Sequence, residues 1–126
     1  MSVRIEKNGK VWTVIHSRPE AKNAMDPASA VALVDAFEAF DRDPQAAVAV
    51  LWGEGGSFCA GFDLKHAAKG ESLGALDFPA HAGNPAPRGP MGPTRLELDK
   101  PVIAAVAGPA VAGGFVAVAA MPNTKP

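Results

Sequence analysis

Two unbroken apolar runs constrain this chain more than anything else in it. Ala46-Ala47-Val48-Ala49-Val50-Leu51-Trp52 has no polar alternation and passes straight into Gly53-Glu54-Gly55-Gly56. Val102-Ile103-Ala104-Ala105-Val106-Ala107 passes in the same way into Gly108-Pro109-Ala110-Val111-Ala112-Gly113-Gly114. A short apolar run without alternation, entered from a proline (Pro44, Pro101) and left through glycine, predicts a strand buried on both faces. Small residues that can open a helix follow each turn. The chain therefore carries a coarse repeat of strand, glycine turn and helix start, at 47–65 and again at 102–118.

The segment before the first run is equally readable. Val3 to Lys7 alternates apolar and polar residues, and Val11-Trp12-Thr13-Val14-Ile15-His16 is rich in β-branched side chains. Asn8-Gly9 between them favours a type I′ turn, so residues 3–16 predict a β-hairpin. Ser17-Arg18-Pro19-Glu20 breaks the pattern. Asp26 is a good helix N-cap and Pro27 suits the first turn, where a missing N–H costs nothing. The helix should run to about Arg42 and stop at Asp43-Pro44, with Ala30, Leu33, Val34, Phe37 and Phe40 on its buried face. Strand, helix, strand implies a crossover in a parallel-type sheet, hence an α/β fold. Short helices are expected at about 64–69 and 94–98. Residues 70–93, rich in glycine, proline and alanine, read as an insertion of weak structure. A single domain over 1–120 and an unstructured end over 121–126 complete the expected organisation.

A buried strand that turns through glycine into a helix start presents backbone N–H groups with no internal partner, and glycine lets a ligand approach them closely. Two such turns facing one point make a binding place for a developing oxyanion. On these residues alone the alternative stays open that the glycines only make tight turns. Other glycine-loop chemistries fit less well. Gly108 and Gly113 have phosphate-loop spacing, but Gly114 and Phe115 stand where Lys and Ser or Thr are needed. Gly53-Glu54-Gly55-Gly56-Ser57-Phe58 lacks the third glycine of a dinucleotide fingerprint.

The bulk numbers narrow the field further. With 12 basic and 13 acidic residues and a net charge of -1, the chain has no electrostatic footprint for nucleic acid or a membrane surface. No run of about 18 apolar residues could span a bilayer, and Met1 to Glu6 has no apolar signal region. The single cysteine, Cys59, fits a reduced, cytoplasmic protein and reads as a packed thiol. The three histidines, His16, His66 and His81, show no metal-ligand spacing, and no metal site is expected.

Three stretches in order resemble the enoyl-CoA hydratase/isomerase (crotonase) superfamily. They are Arg18-Pro19-Glu20-Ala21-Lys22-Asn23-Ala24-Met25, Phe58-Cys59-Ala60-Gly61-Phe62-Asp63-Leu64, and Lys100-Pro101-Val102 through Gly113-Gly114. With the hairpin and first helix, the resemblance covers residues 3–66 and 95–115. It implies a ClpP/crotonase-like spiral of ββα units that binds an acyl-CoA thioester, with coenzyme A part of the substrate and no separate cofactor. It further implies that the backbone N–H groups of Ala60 and Gly113 hold the thioester oxygen as it becomes an enolate. Ala21, Lys22 and Ala24 would border the pantetheine arm, and Ala60, Gly61, Asp63, Leu64 and Gly114 would also lie against the substrate. Lys22 and Arg18 would be the candidates to meet the CoA phosphates. Assembly in the family is trimer-based, so a homo-oligomer is the expectation.

The chain departs from the family pattern where acid–base chemistry is done. In hydratases of the family a catalytic glutamate occupies the position that is Val116 here, and a second follows farther on. Valine cannot position water or move its proton. Glu20, Glu38, Glu54, Glu71 and Glu97 match no catalytic position. The family-like pattern fades after Phe115, and the sequence is therefore expected to be truncated or partial, with impaired chemistry. Hydratase, isomerase and hydrolase subtypes stay open, as does a non-catalytic half-domain that binds CoA or a partner subunit.

Overall fold

The hairpin expected at the start forms, with one change at its tip. In a computed structural model of the chain, which describes residues 2–61, 63, 93, 96–110 and 123–124, β1 (Val3–Asn8) pairs antiparallel with β2 (Val11–His16). Asn8 lies opposite Val11, so the two-residue loop is Gly9-Lys10 rather than Asn8-Gly9. Gly9 has φ +60° and Lys10 does not share the positive sign. A positive φ at the first loop position alone is the type II′ pattern, not the type I′ read from Asn8-Gly9.

Helix α1 (Pro27–Arg42) starts and stops where its capping residues place it. The Ser29 N–H donates to Asp26 Oδ1 at 2.8 Å, filling one of the first-turn vacancies. At the other end the Asp43 N–H donates to the carbonyls of Ala39 and Phe40, and Pro44 cannot continue the ladder. Lys100 reaches this end: its Nζ donates to the carbonyls of Phe40 and Asp43, a cation where the helix dipole is negative. Asp41 Oδ1 accepts the N–H groups of Asp99 and Lys100. The expected face is the buried one. Ala30, Leu33, Val34, Phe37 and Phe40 are all at most 1% exposed, and Phe40 packs its ring against Trp12 with centroids 5.9 Å apart. Burial of each of these phenylalanines stabilises the fold by roughly 1.5–3 kcal/mol.

The main sheet has the order β1-β2-β3-β5, where β3 is Val48–Gly53 and β5 is Val102–Ala105. β2 and β3 are parallel, joined by α1, and β3 and β5 are parallel. The sheet is mixed and the fold is α/β, as expected. Two strand expectations change. β3 buries Ala49, Leu51 and Gly53, but Val48, Val50 and Trp52 on its other face are half-buried. β5 is the edge of this sheet among the described residues, and its Ile103 is 56% exposed. An all-apolar run makes burial on both faces permissible, but a second layer must supply it, and α1 packs on one side.

The helix expected at 94–98 is also corrected. Glu97–Leu98 form strand β4, paired in parallel with β6 (Asn123–Thr124) in a separate two-stranded sheet. The reason is period two: Leu96 and Leu98 are buried at 2% and 0% while Glu97 between them is exposed. The end read as unstructured thus contains a short strand at Asn123–Thr124. The expected helices near 64–69 and at Gly114 lie outside the described residues, as does the insertion apart from Pro93. Among the described residues no helix is long and apolar enough to cross a membrane.

Candidate functional site: two abutting glycine turns

β3 and β5 leave the sheet side by side, and their glycine turns meet backbone to backbone. Gly55, Gly56 and Gly108 have φ of +94°, +91° and +77°. A Cβ on Gly108 would lie 1.8 Å from the Gly56 carbonyl oxygen, and one on Gly53 would lie 2.3 Å from that of Phe58. No side chain fits either place, so the absence of one sets the spacing of the turns. Beyond them the parallel course resumes. The Phe58 and Cys59 N–H groups donate to the Pro109 carbonyl at 2.9 and 3.4 Å, and Cys59 forms a parallel bridge with Ala110.

This leaves Ala60 distinct within its run. The N–H groups of Phe58 and Cys59 are engaged, and that of Gly61 points at the Cys59 sulfur at 3.4 Å. Ala60 is half-buried, and among the described residues its N–H has no acceptor. Gly113, Gly114 and Leu64, the other expected members of the site on this side, lie outside the described residues.

A second loop is tied to the residues on either side of Ala60 in the chain. After a 3₁₀ turn at Pro19–Ala21, Lys22 and Asn23 both adopt left-handed backbone, φ 52° and 58°. Two successive non-glycine residues in that region are held there by their surroundings. Asn23 supplies the hold. It is 1% exposed; its Oδ1 accepts the Arg18 N–H at 2.6 Å, and its Nδ2 donates to the carbonyls of Glu54 at 2.7 Å and Ser57 at 2.6 Å. One side chain thus ties the second loop to the first glycine turn. Farther on, the Met25 N–H donates to the Gly61 carbonyl at 2.6 Å and the Asp63 N–H to the Met25 carbonyl at 2.7 Å. The expected residues Ala21, Lys22, Ala24, Ala60, Gly61 and Asp63 therefore converge from two distant stretches. Lys22 is exposed, as a residue meeting solvent or a phosphate must be.

Arg18 does not fit its expected place at the CoA phosphates. Its side chain is 16% exposed and faces inward, with Nη2 3.0 Å from Asp63 Oδ2 and Nη1 donating to the Ala24 carbonyl at 2.7 Å. Its Nε lies 3.6 Å from Asp26 Oδ2 and 3.8 Å from Glu20 Oε1. A guanidinium taken this far from water needs its donors matched by acceptors, and the surrounding carboxylates do that. The carboxylate of Asp63 is correspondingly turned to Arg18. Asn23 was not among the expected site residues, and Arg18 was expected at a phosphate rather than facing inward. Asn is the non-glycine residue most at home in left-handed backbone, and that was the one available hint.

Two ionisable groups near the site are uncharged at neutral pH. His16, 3% exposed at the end of β2, has a buried Nε2 without a partner among the described residues. Burial and then the nearby Arg18 charge push its pKa down to about 4, against opposing pulls from Asp26 and Glu20. Burial pushes the Cys59 thiol up, partly offset by the Gly61 backbone, which suits a packed thiol rather than a nucleophile. Glu54 is engaged: its Oε1 accepts from Arg4 at 3.1 Å and Ser17 at 2.9 Å. These bonds hold its carboxyl below the usual range.

A mixed α/β sheet with paired strand–glycine-turn exits is the architecture expected of a crotonase-like chain. The family model for enoyl-CoA hydratase/isomerase matches residues 6–121, and this chain belongs to that family. It is 44% identical over 116 residues to a carnitinyl-CoA dehydratase of Salmonella arizonae, covering 90% of this chain and 41% of that protein. It is 37% identical over 117 residues to the enoyl-CoA hydratase EchA19 of Mycobacterium tuberculosis, covering 87% and 40%. Among solved structures, a probable enoyl-CoA hydratase/isomerase from Mycobacterium abscessus superposes with a TM-score of 0.80 at 36% identity, covering 98% of this chain and 44% of that one. A carnitinyl-CoA hydratase from Mycobacterium avium gives 0.75 at 35%, covering 91% and 42%. The chain spans about two-fifths of the length of these relatives.

Proposed function

We propose that the chain binds acyl-CoA thioesters and holds the thioester oxygen, as it gains enolate character, on the backbone N–H groups of Ala60 and Gly113. The observation that carries this reading is the N–H of half-buried Ala60, without an acceptor among the described residues, in a run whose neighbours are bonded. Relatives named for enoyl-CoA and carnitinyl-CoA share a CoA thioester, which supports that substrate class. Ala21, Lys22 and Ala24 border the pantetheine arm, with Lys22 reaching the phosphates. Gly61, Asp63, Leu64 and Gly114 line the path by their backbone. A donor of this kind contributes about 2.7–4 kcal/mol to stabilising a developing oxyanion. The homo-oligomeric assembly expected from the family is part of the same proposal.

A second reading, binding without efficient turnover, is favoured by Val116, which stands where a hydratase has its glutamate. Glu54, the glutamate on the first glycine turn, is engaged by Arg4 and Ser17. Crotonyl-CoA separates the two readings. Calorimetry reads its binding, and loss of the conjugated-thioester absorbance reads its hydration. Binding with negligible hydration supports a CoA-thioester binder with impaired chemistry; hydration supports an intact enzyme; no binding refutes both. Gly113→Pro, which removes the N–H, should weaken crotonyl-CoA relative to free CoA, and unchanged preference would defeat the donor assignment.

A further inference from the structure

We infer that Arg18 is a positioning residue for the acyl-CoA site, locking the Ala60–Asp63 loop onto the Ala21–Met25 loop and so setting where the Ala60 N–H points. This rests on the proposed role of Ala60. The two loops come from stretches far apart in the chain, and their direct backbone ties converge on Met25, through the Gly61 carbonyl and the Asp63 N–H. Arg18 closes the same junction with charge. Its guanidinium touches the Ala24 carbonyl on one loop and the Asp63 carboxylate on the other, and stands near the Asp26 carboxylate that caps α1. With side-chain exposures of 16% for Arg18, 9% for Asp63 and 17% for Asp26, these charges are largely withdrawn from water, where removing one partner is costly. Without Arg18, the Asp63 and Asp26 carboxylates would lose the guanidinium they share in a place largely withdrawn from water. Asp63 would turn to water and carry with it the Asp63 N–H bond to Met25, the loop, and the donor just before it.

The experiment compares wild type with Arg18→Gln and Arg18→Lys in the full chain, by amide hydrogen exchange and by calorimetry with crotonyl-CoA and with free CoA. In Arg18→Gln the Met25 and Asp63 amides should exchange about tenfold faster or more, the loss expected for a charge-assisted bond. The Val14 and Leu51 amides of the sheet should keep their wild-type rates, whereas general destabilisation would speed all four. Arg18→Lys, which keeps the charge but not the fork, should fall between. Crotonyl-CoA affinity should drop by more than free CoA affinity, because only the thioester oxygen uses the Ala60 N–H. Retained protection at Met25 and Asp63, or equal acceleration at the sheet amides, overturns the inference. So does an equal loss for CoA and crotonyl-CoA, which would mark Arg18 as a phosphate ligand. If wild type does not prefer crotonyl-CoA to CoA, the function proposed for Ala60 fails, and the exchange data still decide whether Arg18 locks the loops. Should Arg18→Gln fail to fold, Asp63→Asn, which keeps an acceptor and loses the charge, should show the same local acceleration, and its absence overturns the inference.

Discussion

Acidification should destabilise this protein through His16 before Glu54 takes part. The imidazole is 3% exposed, its Nε2 has no partner among the described residues, and its pKa is pushed from 6.5 down to about 4. In the unfolded chain it takes up a proton as pH falls through 6.5; in the folded protein it does so only near 4. Between those values the unfolded state binds more protons, so stability falls with falling pH. A shift of about 2.5 units at 1.36 kcal/mol per unit sets a ceiling of about 3 kcal/mol, of which about 2.5 kcal/mol is lost by roughly pH 4.5. Glu54, held below the usual carboxylate range, contributes stability above its unfolded pKa. That contribution is lost only as pH falls through its lowered folded value. The window from about pH 6.5 to about 5 therefore isolates His16 from it. Urea unfolding of wild type and His16→Gln at several pH values across that window is the assay. Wild type should lose stability at up to about 1.4 kcal/mol per pH unit relative to the variant. Parallel pH dependences for the two proteins, or an NMR titration of His16 near its ordinary pKa, would refute the reasoning.

Gly108→Ala should destabilise the fold by about 3 kcal/mol or more, since the new Cβ meets the Gly56 oxygen and φ is +77°; a urea midpoint close to wild type would show that the turns do not abut. Asn23→Ala removes the partners of the Arg18 N–H and of the Glu54 and Ser57 carbonyls, for a loss of about 3 kcal/mol. Asn23→Gly should be milder by about 1 kcal/mol because it keeps the left-handed backbone without strain, and the order of the two melting temperatures checks this. Cys59, buried and with its thiol pushed up, should resist a thiol reagent at neutral pH until denaturant is added; rapid labelling of the native protein would contradict its packing.

Local chemistry was the legible part of this fold. Asp26, Pro27 and Pro44 bound α1 because capping depends on a few neighbouring residues, and the face from Ala30 to Phe40 follows from helical spacing. The parallel pairing of β2 and β3 follows from their apolar runs and the helix between them. Facts that depend on distant partners were not legible. The exposure of Ile103 depends on what lies beyond β5, and Arg18 faces inward because Asp63 arrives from another stretch. Leu96-Glu97-Leu98 could have been read correctly, since its alternation has period two, but the stretch is too short for periodicity to outweigh helix propensity. Within the site, the convergence of the Ala21–Ala24 and Ala60–Asp63 stretches was implied by family resemblance. The Asn23 and Arg18 ties that hold them together became visible only in three dimensions.

The order of the sheet also has a kinetic consequence. β1 and β2 join across a two-residue loop, and β3 reaches β2 after the α1 crossover. β5 must find β3 across the whole stretch from Gly53 to Val102. The entropy lost in closing a loop grows with its length, and contacts distant in sequence form late. The hairpin, α1 and β3 can therefore assemble as an early unit. The meeting of Gly56 with Gly108, and of Cys59 with Ala110, closes the longest loop of the main sheet. The same contacts should be the first to open in a partial unfolding, leaving the early unit intact. The surroundings of the Ala60 N–H would then be completed last during folding and lost first under stress.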